Sequence, residues 1–316
     1  MNHMFTARKK GRLAVIGAVA VSAAVALAGC SSSSSPLDAG STSGASTSGS
    51  DTIVIGSQAY YSNEIIAEIY AQALEAQGVS VQRQFNIGQR EAYIPSLEDG
   101  SVTLFPEYTG NLLQYFDSSA TATSPEDVYT ALQGALPQGL EALDYAEATD
   151  QDSYNVTKEW SEQNGVTSLE DLSKVTTPLT VGANSEFQTR PYGPDGLKSA
   201  YGVTVTVTPI EDSGGPLTVK ALKDGQVQLA DIYSADPNIA TNDLVTLKDP
   251  KGLILAQNVV PIINSAAVTD QVKEVINKVS AALTVDDLIA LNSKSVNDQE
   301  STDKIASDWL TEKGLK

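Results

Sequence analysis

The sequence predicts a layered α/β fold large enough for two domains, and three observations support it. Short β-branched runs alternate along the chain with amphipathic helical stretches, the pattern that packed strand and helix layers produce. Roughly 265 of the 316 residues follow an N-terminal leader and linker, enough for two domains of ordinary size. The chain has a single cysteine, so its core must be held by burial and not by a disulfide framework. No internal repeat is visible.

From the N-terminus, Arg8, Lys9, Lys10 and Arg12 precede an apolar run from Leu13 to Leu27 that ends in Leu27-Ala28-Gly29-Cys30. A basic segment, a short apolar run and small residues before a cut site mark residues 1–29 as an export signal. The run is shorter than the roughly 20 apolar residues of a membrane-spanning helix, and Cys30 reads as a lipidated first residue of the mature chain. Residues 30–51 are rich in Ser, Gly, Thr and Ala and read as a flexible tether with almost nothing to bury.

The folded part begins near Asp51. Ile53-Val54-Ile55 reads as a strand, and Glu64 to Gln77 as a helix, because Ile65, Ile66, Ile69, Tyr70, Ala73 and Leu74 recur at helical spacing. Leu179 to Val181, Val203 to Val207, Val227 to Ile232 and Leu244 to Leu247 are further strands. Helices are expected over Pro125 to Leu136, Leu217 to Asp224, Asp270 to Leu283 and Thr302 to Glu312. Thr284 followed by Asp287 resembles a capping box opening another helix, with Asp in place of the usual Glu.

Charge and composition exclude several functions. The chain carries 20 basic and 39 acidic residues. Removing the leader takes four of the basic ones, leaving 16 against 39, a net charge of −23. Nucleic acid is not an expected partner, since phosphate backbones are held by clustered Lys and Arg. The only histidine, His3, lies in the leader. Ser-His-Asp, Cys-His and His-ligated zinc chemistries are therefore excluded in their ordinary forms, and no cofactor is expected. Asp212, Asp231 and Asp236 offer carboxylates to a hydrolase, but their spacing defines no acid/base pair, and the chain does not read as an enzyme.

Ile55-Gly56-Ser57-Gln58, Gly88, Leu97-Glu98-Asp99-Gly100 and Pro106-Glu107-Tyr108-Thr109-Gly110 resemble the first lobe of the glycine betaine, carnitine and choline binding proteins of osmoprotectant ABC importers. Ser185-Glu186-Phe187 with Arg190, Gly196-Leu197-Lys198 with Tyr201-Gly202, Lys220-Ala221-Leu222 with Gly225, and Asp231-Ile232-Tyr233-Ser234-Ala235-Asp236 are similar to the second lobe in order and spacing. The resemblance implies a type II, two-lobed periplasmic-binding-protein-like fold with a hinge and an interlobe ligand cleft. Lobe 1 is then expected over 52–156 and 260–316, and lobe 2 over 157–259. The chain would cross between them near Asn155 to Glu159 and near Asn258 to Pro261. It also implies a monomer held outside the cell membrane by lipidated Cys30, passing its ligand to the transmembrane subunits of an importer.

A trimethylammonium group has no N–H to donate, so aromatic faces hold it by cation–π attraction. The resemblance places Tyr108, Tyr154 and Tyr233 on cage tyrosines of the family. The fourth is missing: Leu255-Ala256-Gln257-Asn258-Val259-Val260-Pro261 puts Gln257, or failing that Asn258, where relatives carry Tyr. Tyr60 and Tyr61, in the loop after the first strand, are alternative sources of that aromatic. Asp152 would support the cation electrostatically, or is a solvated loop acid. Arg190 corresponds to a family arginine and would take the carboxylate of a zwitterion as a two-pronged fork, or else form an ion pair with Glu186 or Asp195. Gln58 stands where some relatives have Lys, and Asn111 where the motif continues with Thr, so both keep donors without charge. A different trimethylated or polar ligand, or a lipid-anchored interaction protein with no small ligand, are the alternatives to a receptor of the betaine type.

Overall fold

The computed structural model describes residues 52–316. The export signal, Cys30 and the tether lie outside the described residues. The first half contains β1 (Thr52–Gln58), α1 (Tyr61–Ala76), β2 (Ser80–Gly88), α2 (Arg90–Glu98), β3 (Leu104–Tyr108), α3 (Thr109–Phe116), α4 (Pro125–Ala135) and β4 (Leu140–Ala142). The second contains β5 (Tyr154–Thr157), α5 (Lys158–Asn164), β6 (Leu179–Ala183), α6 (Pro194–Tyr201), β7 (Val205–Pro209), α7 (Pro216–Lys223), β8 (Leu229–Asp231), α8 (Asn238–Thr241) and β9 (Leu244–Thr246). The chain then returns to the first half with β10 (Val259–Asn264), α9 (Asp270–Ala282), α10 (Val285–Val296) and α11 (Thr302–Lys313).

Two five-stranded sheets result, ordered β2-β1-β3-β10-β4 and β7-β6-β8-β5-β9. In each, the first three strands are parallel, and the strand arriving from the other half enters fourth and antiparallel. The two halves thus share one topology, each completed by a strand at the far side of a crossing. β5, which contains Asn155, is already a strand of the second sheet, and β10, from Val259, is already in the first. The backbone therefore passes between sheets over 143–153 and 247–258, upstream of the crossings expected at Asn155–Glu159 and Asn258–Pro261. Those two segments run side by side: Thr149 bridges Asn258, and the Asp150 N–H donates to the Gln257 carbonyl at 3.3 Å.

The core follows the apolar patterning. α1 is buried on most of its surface, between its sheet on one side and α9, α10 and α11 on the other. It starts at Tyr61, three residues before the periodic stretch, because Ser62 and Asn63 find tertiary partners that outweigh their weak helix propensity. α10 opens with the Thr284/Asp287 capping box, and Ser124 caps α4 ahead of Pro125.

β3 and β10 were missed in the sequence because each contains a proline, ordinarily excluded from a central strand. Pro106 and Pro261 stand directly opposite one another. The Pro106 carbonyl accepts from Asn63 Nδ2 and that of Pro261 from the Leu143 N–H, both at 2.9 Å. Both residues thus turn their backbone polar edges away from their shared ladder, and the missing N–H groups cost that ladder nothing. Among the described residues no helix is long and apolar enough to cross a membrane.

Candidate ligand-binding cleft

The parallel strands of both sheets end on one cleft, as ligand sites in open α/β sheets do. β1 delivers Gln58 and the following turn Tyr60; β3 ends at Tyr108; β6 leads to Asn184, Glu186 and Phe187; β8 ends at Asp231, followed by Tyr233. The first crossing segment adds Asp150 and Asp152, α2 adds Arg90, α3 adds Asn111, and Arg190 and Tyr192 close one side. Together with Gln89 these residues border one cleft, partly open to solvent.

The Pro106–Gly110 motif owes its residues to this position. Glu107 is fully buried, grips Arg90 through two hydrogen bonds of 2.9 and 2.7 Å, and accepts from the Tyr93 hydroxyl and the Tyr108 N–H. Thr109 donates to the Ala256 carbonyl at 2.9 Å and accepts from the Asn258 N–H at 3.1 Å, fastening the second crossing segment. Gly110 admits no side chain, since a Cβ there would lie 2.6 Å from the Ala256 carbonyl oxygen. Tyr108 is thereby fixed at the strand end, its hydroxyl hydrogen-bonded to that of Tyr60 and accepting from Asn63 Nδ2 at 3.3 Å.

Four tyrosines line the cleft: Tyr60 and Tyr108 from the first half, Tyr192 and Tyr233 from the second. Tyr60 meets Tyr233 edge to face at 5.2 Å across the halves, a favourable geometry for aromatic pairs. Burial pushes the hydroxyls of Tyr60, Tyr192 and Tyr233 well above the ordinary tyrosine pKa. The rings are neutral at physiological pH.

Of the residues singled out in the sequence, Gln58, Tyr60, Tyr108, Asn111, Asp152, Arg190 and Tyr233 line this cleft. Tyr154, Tyr61, Gln257 and Asn258 do not. Tyr154 is packed in the core of the second half against Phe187, and its hydroxyl donates to the Tyr192 carbonyl at 2.7 Å. It supports the wall that Tyr192 forms. Tyr61 turns away to donate to Asp236 at 3.0 Å. Gln257 is buried behind Asn111, donating to its Oδ1 at 2.5 Å, and Asn258 holds the Ala146 carbonyl at 2.9 Å.

Arg190 is ion-paired at 2.9 Å with Glu91 of α2, across the cleft mouth, and not with Glu186 or Asp195. Gln58 is buried, and its Nε2 has no hydrogen-bond partner among the described residues, leaving a donor for a ligand. Tyr192, Arg90, Asn184 and Asp150 had not been singled out. For Asp150 a signal existed: Asp150 and Asp152 lie two apart, which in extended backbone puts both on one face. Tyr192 and Arg90 lie outside the quoted motifs, and their arrival is a tertiary event.

A family model described as the substrate-binding domain of ABC-type glycine betaine transport systems matches residues 51–312. The chain is similar to the glycine betaine-binding protein YehZ of Escherichia coli K12, with 24% identity over 276 residues, 83% of this chain and 90% of that one. It is similar to the carnitine transport binding protein OpuCC of Listeria monocytogenes, with 24% identity over 284 residues, 83% of this chain and 87% of that one. A crystal structure titled as a glycine betaine/carnitine/choline ABC transporter matches the fold with a TM-score of 0.68 at 22% identity, covering 83% of this chain and 99% of the other. With the two-lobed topology and its tyrosine-lined cleft in place, the match over nearly all described residues settles kinship: the chain belongs to the family of substrate-binding domains of ABC-type glycine betaine transport systems.

Proposed function

We propose that this protein captures a quaternary-ammonium compound in the cleft and delivers it to the membrane subunits of an ABC importer. The observation that carries this reading is the convergence of four neutral tyrosines, two from each half, beside the carboxyl groups of Asp150, Asp152, Glu186 and Asp231. Ring faces attract a cation that cannot donate a hydrogen bond, each worth roughly 0.5 to 2 kcal/mol according to desolvation. The acidic residues favour the same charge. The arginines at the cleft do not oppose it, because Arg90 is matched by Glu107 and Arg190 by Glu91. The polar end of the ligand meets Gln58 Nε2 and, for a zwitterion, Arg190 once it exchanges Glu91 for the ligand carboxylate.

Because the rings come from both halves, a bound cation joins them and favours their closure over it. The protein works as a monomer outside the membrane, tethered through lipidated Cys30. The test is a thermal melt with a panel of glycine betaine, choline, carnitine and proline betaine beside uncharged isosteres. A ligand at 100 times its Kd stabilises the folded state by about 2.7 kcal/mol, so at least one quaternary amine should raise the melting temperature while its isostere does not. A flat response across the panel would favour the surface interaction protein.

A further inference from the structure

Within the cleft, the carboxyl groups of Asp152 and Asp231 line the same space, and the backbone N–H of Ser153, next in the chain to Asp152, donates to Asp231 at 3.2 Å. Asp152 comes from the first crossing segment and Asp231 from the end of β8, and both are buried. One oxygen of each is thus held by a protein donor, that of Asp152 by Asn111 Nδ2 at 2.6 Å. Two neighbouring carboxyls out of water are costly to ionise together without a neutralising charge. Burial foremost, then the charge of Asp152, push Asp231 well above the usual carboxylate range.

Among the described residues, the neighbours on every side leave that charge unsupplied. Asp150 lies on the same crossing segment, Tyr154 on β5, Glu186 in the 3-10 turn Ser185–Thr189, Tyr192 after it, and Tyr233 beyond β8. Each of these is acidic or neutral. The cations facing the cleft are Arg90 of α2, occupied by Glu107, and Arg190, occupied by Glu91. The sole histidine is His3.

We propose that Asp152 and Asp231 form a proton-for-cation exchange site, sharing one proton in the ligand-free cleft and releasing it to solvent when a quaternary-ammonium group settles beside them. This rests on the cleft being a quaternary-ammonium site, and it adds what discriminates among ligands there. The exchange keeps the charge beside the pair constant, since one proton leaves it and one permanent cation enters; the carboxylate of a betaine lies at the other end of the ligand, towards Gln58 and Arg190. A neutral isostere of the ligand has no charge to displace the proton and is rejected electrostatically as well as by the rings. Because the ligand favours the ionised pair, affinity rises with pH, by about tenfold per unit over the range in which one proton is released per ligand bound.

Two measurements test this on the whole mature protein, one of them without ligand. In infrared difference spectra at neutral pH, the free protein should show a protonated-carboxyl carbonyl band that Asp231→Asn or Asp152→Asn reduces. The comparison is repeated in an Asp150→Asn background, because Asp150 is also buried and contributes its own band. If neither substitution reduces the band in that background, no proton is shared and the inference is overturned. Calorimetry with choline and with glycine betaine, in buffers of different ionisation enthalpy, should find close to one proton released per ligand, falling towards zero in Asp231→Asn. Binding with no proton release by the wild type overturns the exchange. Failure of both probes to bind instead counts against the quaternary-ammonium reading, and the infrared comparison then decides the pair by itself.

Discussion

Tyr154 and Tyr192 show how a single residue changes the site. In the sequence Tyr154 corresponds to a cage tyrosine; in the fold its ring is core and its hydroxyl supports the Tyr192 backbone. Tyr154→Phe should therefore cost stability, by about 1 kcal/mol for the lost hydrogen bond, while leaving affinity within about twofold. Denaturant melts and calorimetry on the same preparations separate the two, and a loss of affinity without loss of stability would return Tyr154 to the ligand. Tyr108 and Tyr233 were legible because a fixed motif brackets each one. Tyr192 was not, because its only local mark is lying two residues beyond Arg190. Gln257 brings no ring to the cleft, and a ring does line it from the turn after β1, that of Tyr60. Sequence order does not show that this turn and Tyr233 meet 5.2 Å apart.

At the scale of elements, apolar residues at helical spacing revealed helices and β-branched runs revealed strands. α1, α4, α7, α9 and α11 carry apolar residues at helical spacing, and β1, β6, β7 and β9 carry β-branched runs, while β8 is flanked by Val227 and Ile232. β2 is an edge strand rich in Gln and Arg, and β3 and β10 each contain a proline whose harmless placement depends on the opposite strand. These had no legible local signal. Two elements from opposite halves also make the ion pair at the cleft mouth, where Glu91 of α2 occupies Arg190. Glu91→Gln should free the guanidinium and strengthen betaine binding relative to choline. Arg190→Ala should weaken a betaine by roughly 2 to 5 kcal/mol if its carboxylate is desolvated against the arginine, with choline little affected. Competition binding of the two ligands to the three proteins checks this, and equal small losses for both would make Arg190 a purely structural partner of Glu91.

Across the whole molecule, the two crossings, the site and the C-terminal helices are joined through Asp150. Its carboxyl accepts from Ser62 of α1 at 2.9 Å and from the Ala235 N–H of the second half at 3.0 Å. Asn292 of α10 in turn holds Ser62 and the Ala235 carbonyl. Burial raises Asp150 from 3.8 to about 7. The folded protein thus keeps this proton where the unfolded chain has lost it. Its contribution to stability is full below about pH 4 and is lost as pH rises through about 7, a span worth up to roughly 4 kcal/mol. Asp150→Asn should flatten that decline in melts from pH 4 to 8, and an unchanged profile would show that Asp150 is ionised throughout.

The claim that ties these scales together is that rings from both halves hold one cation between them. It is tested most directly by calorimetry of glycine betaine and choline on the wild type, Tyr108→Leu, Tyr233→Leu and the double variant, each shown to be folded by circular dichroism. Leucine keeps apolar area and removes the ring quadrupole. The expected result is one site per chain in the wild type, a loss of about 1 to 2 kcal/mol for each single variant, and a larger loss for the pair. Undiminished binding in the folded double variant would contradict it, because the ligand would then sit somewhere other than between these two rings.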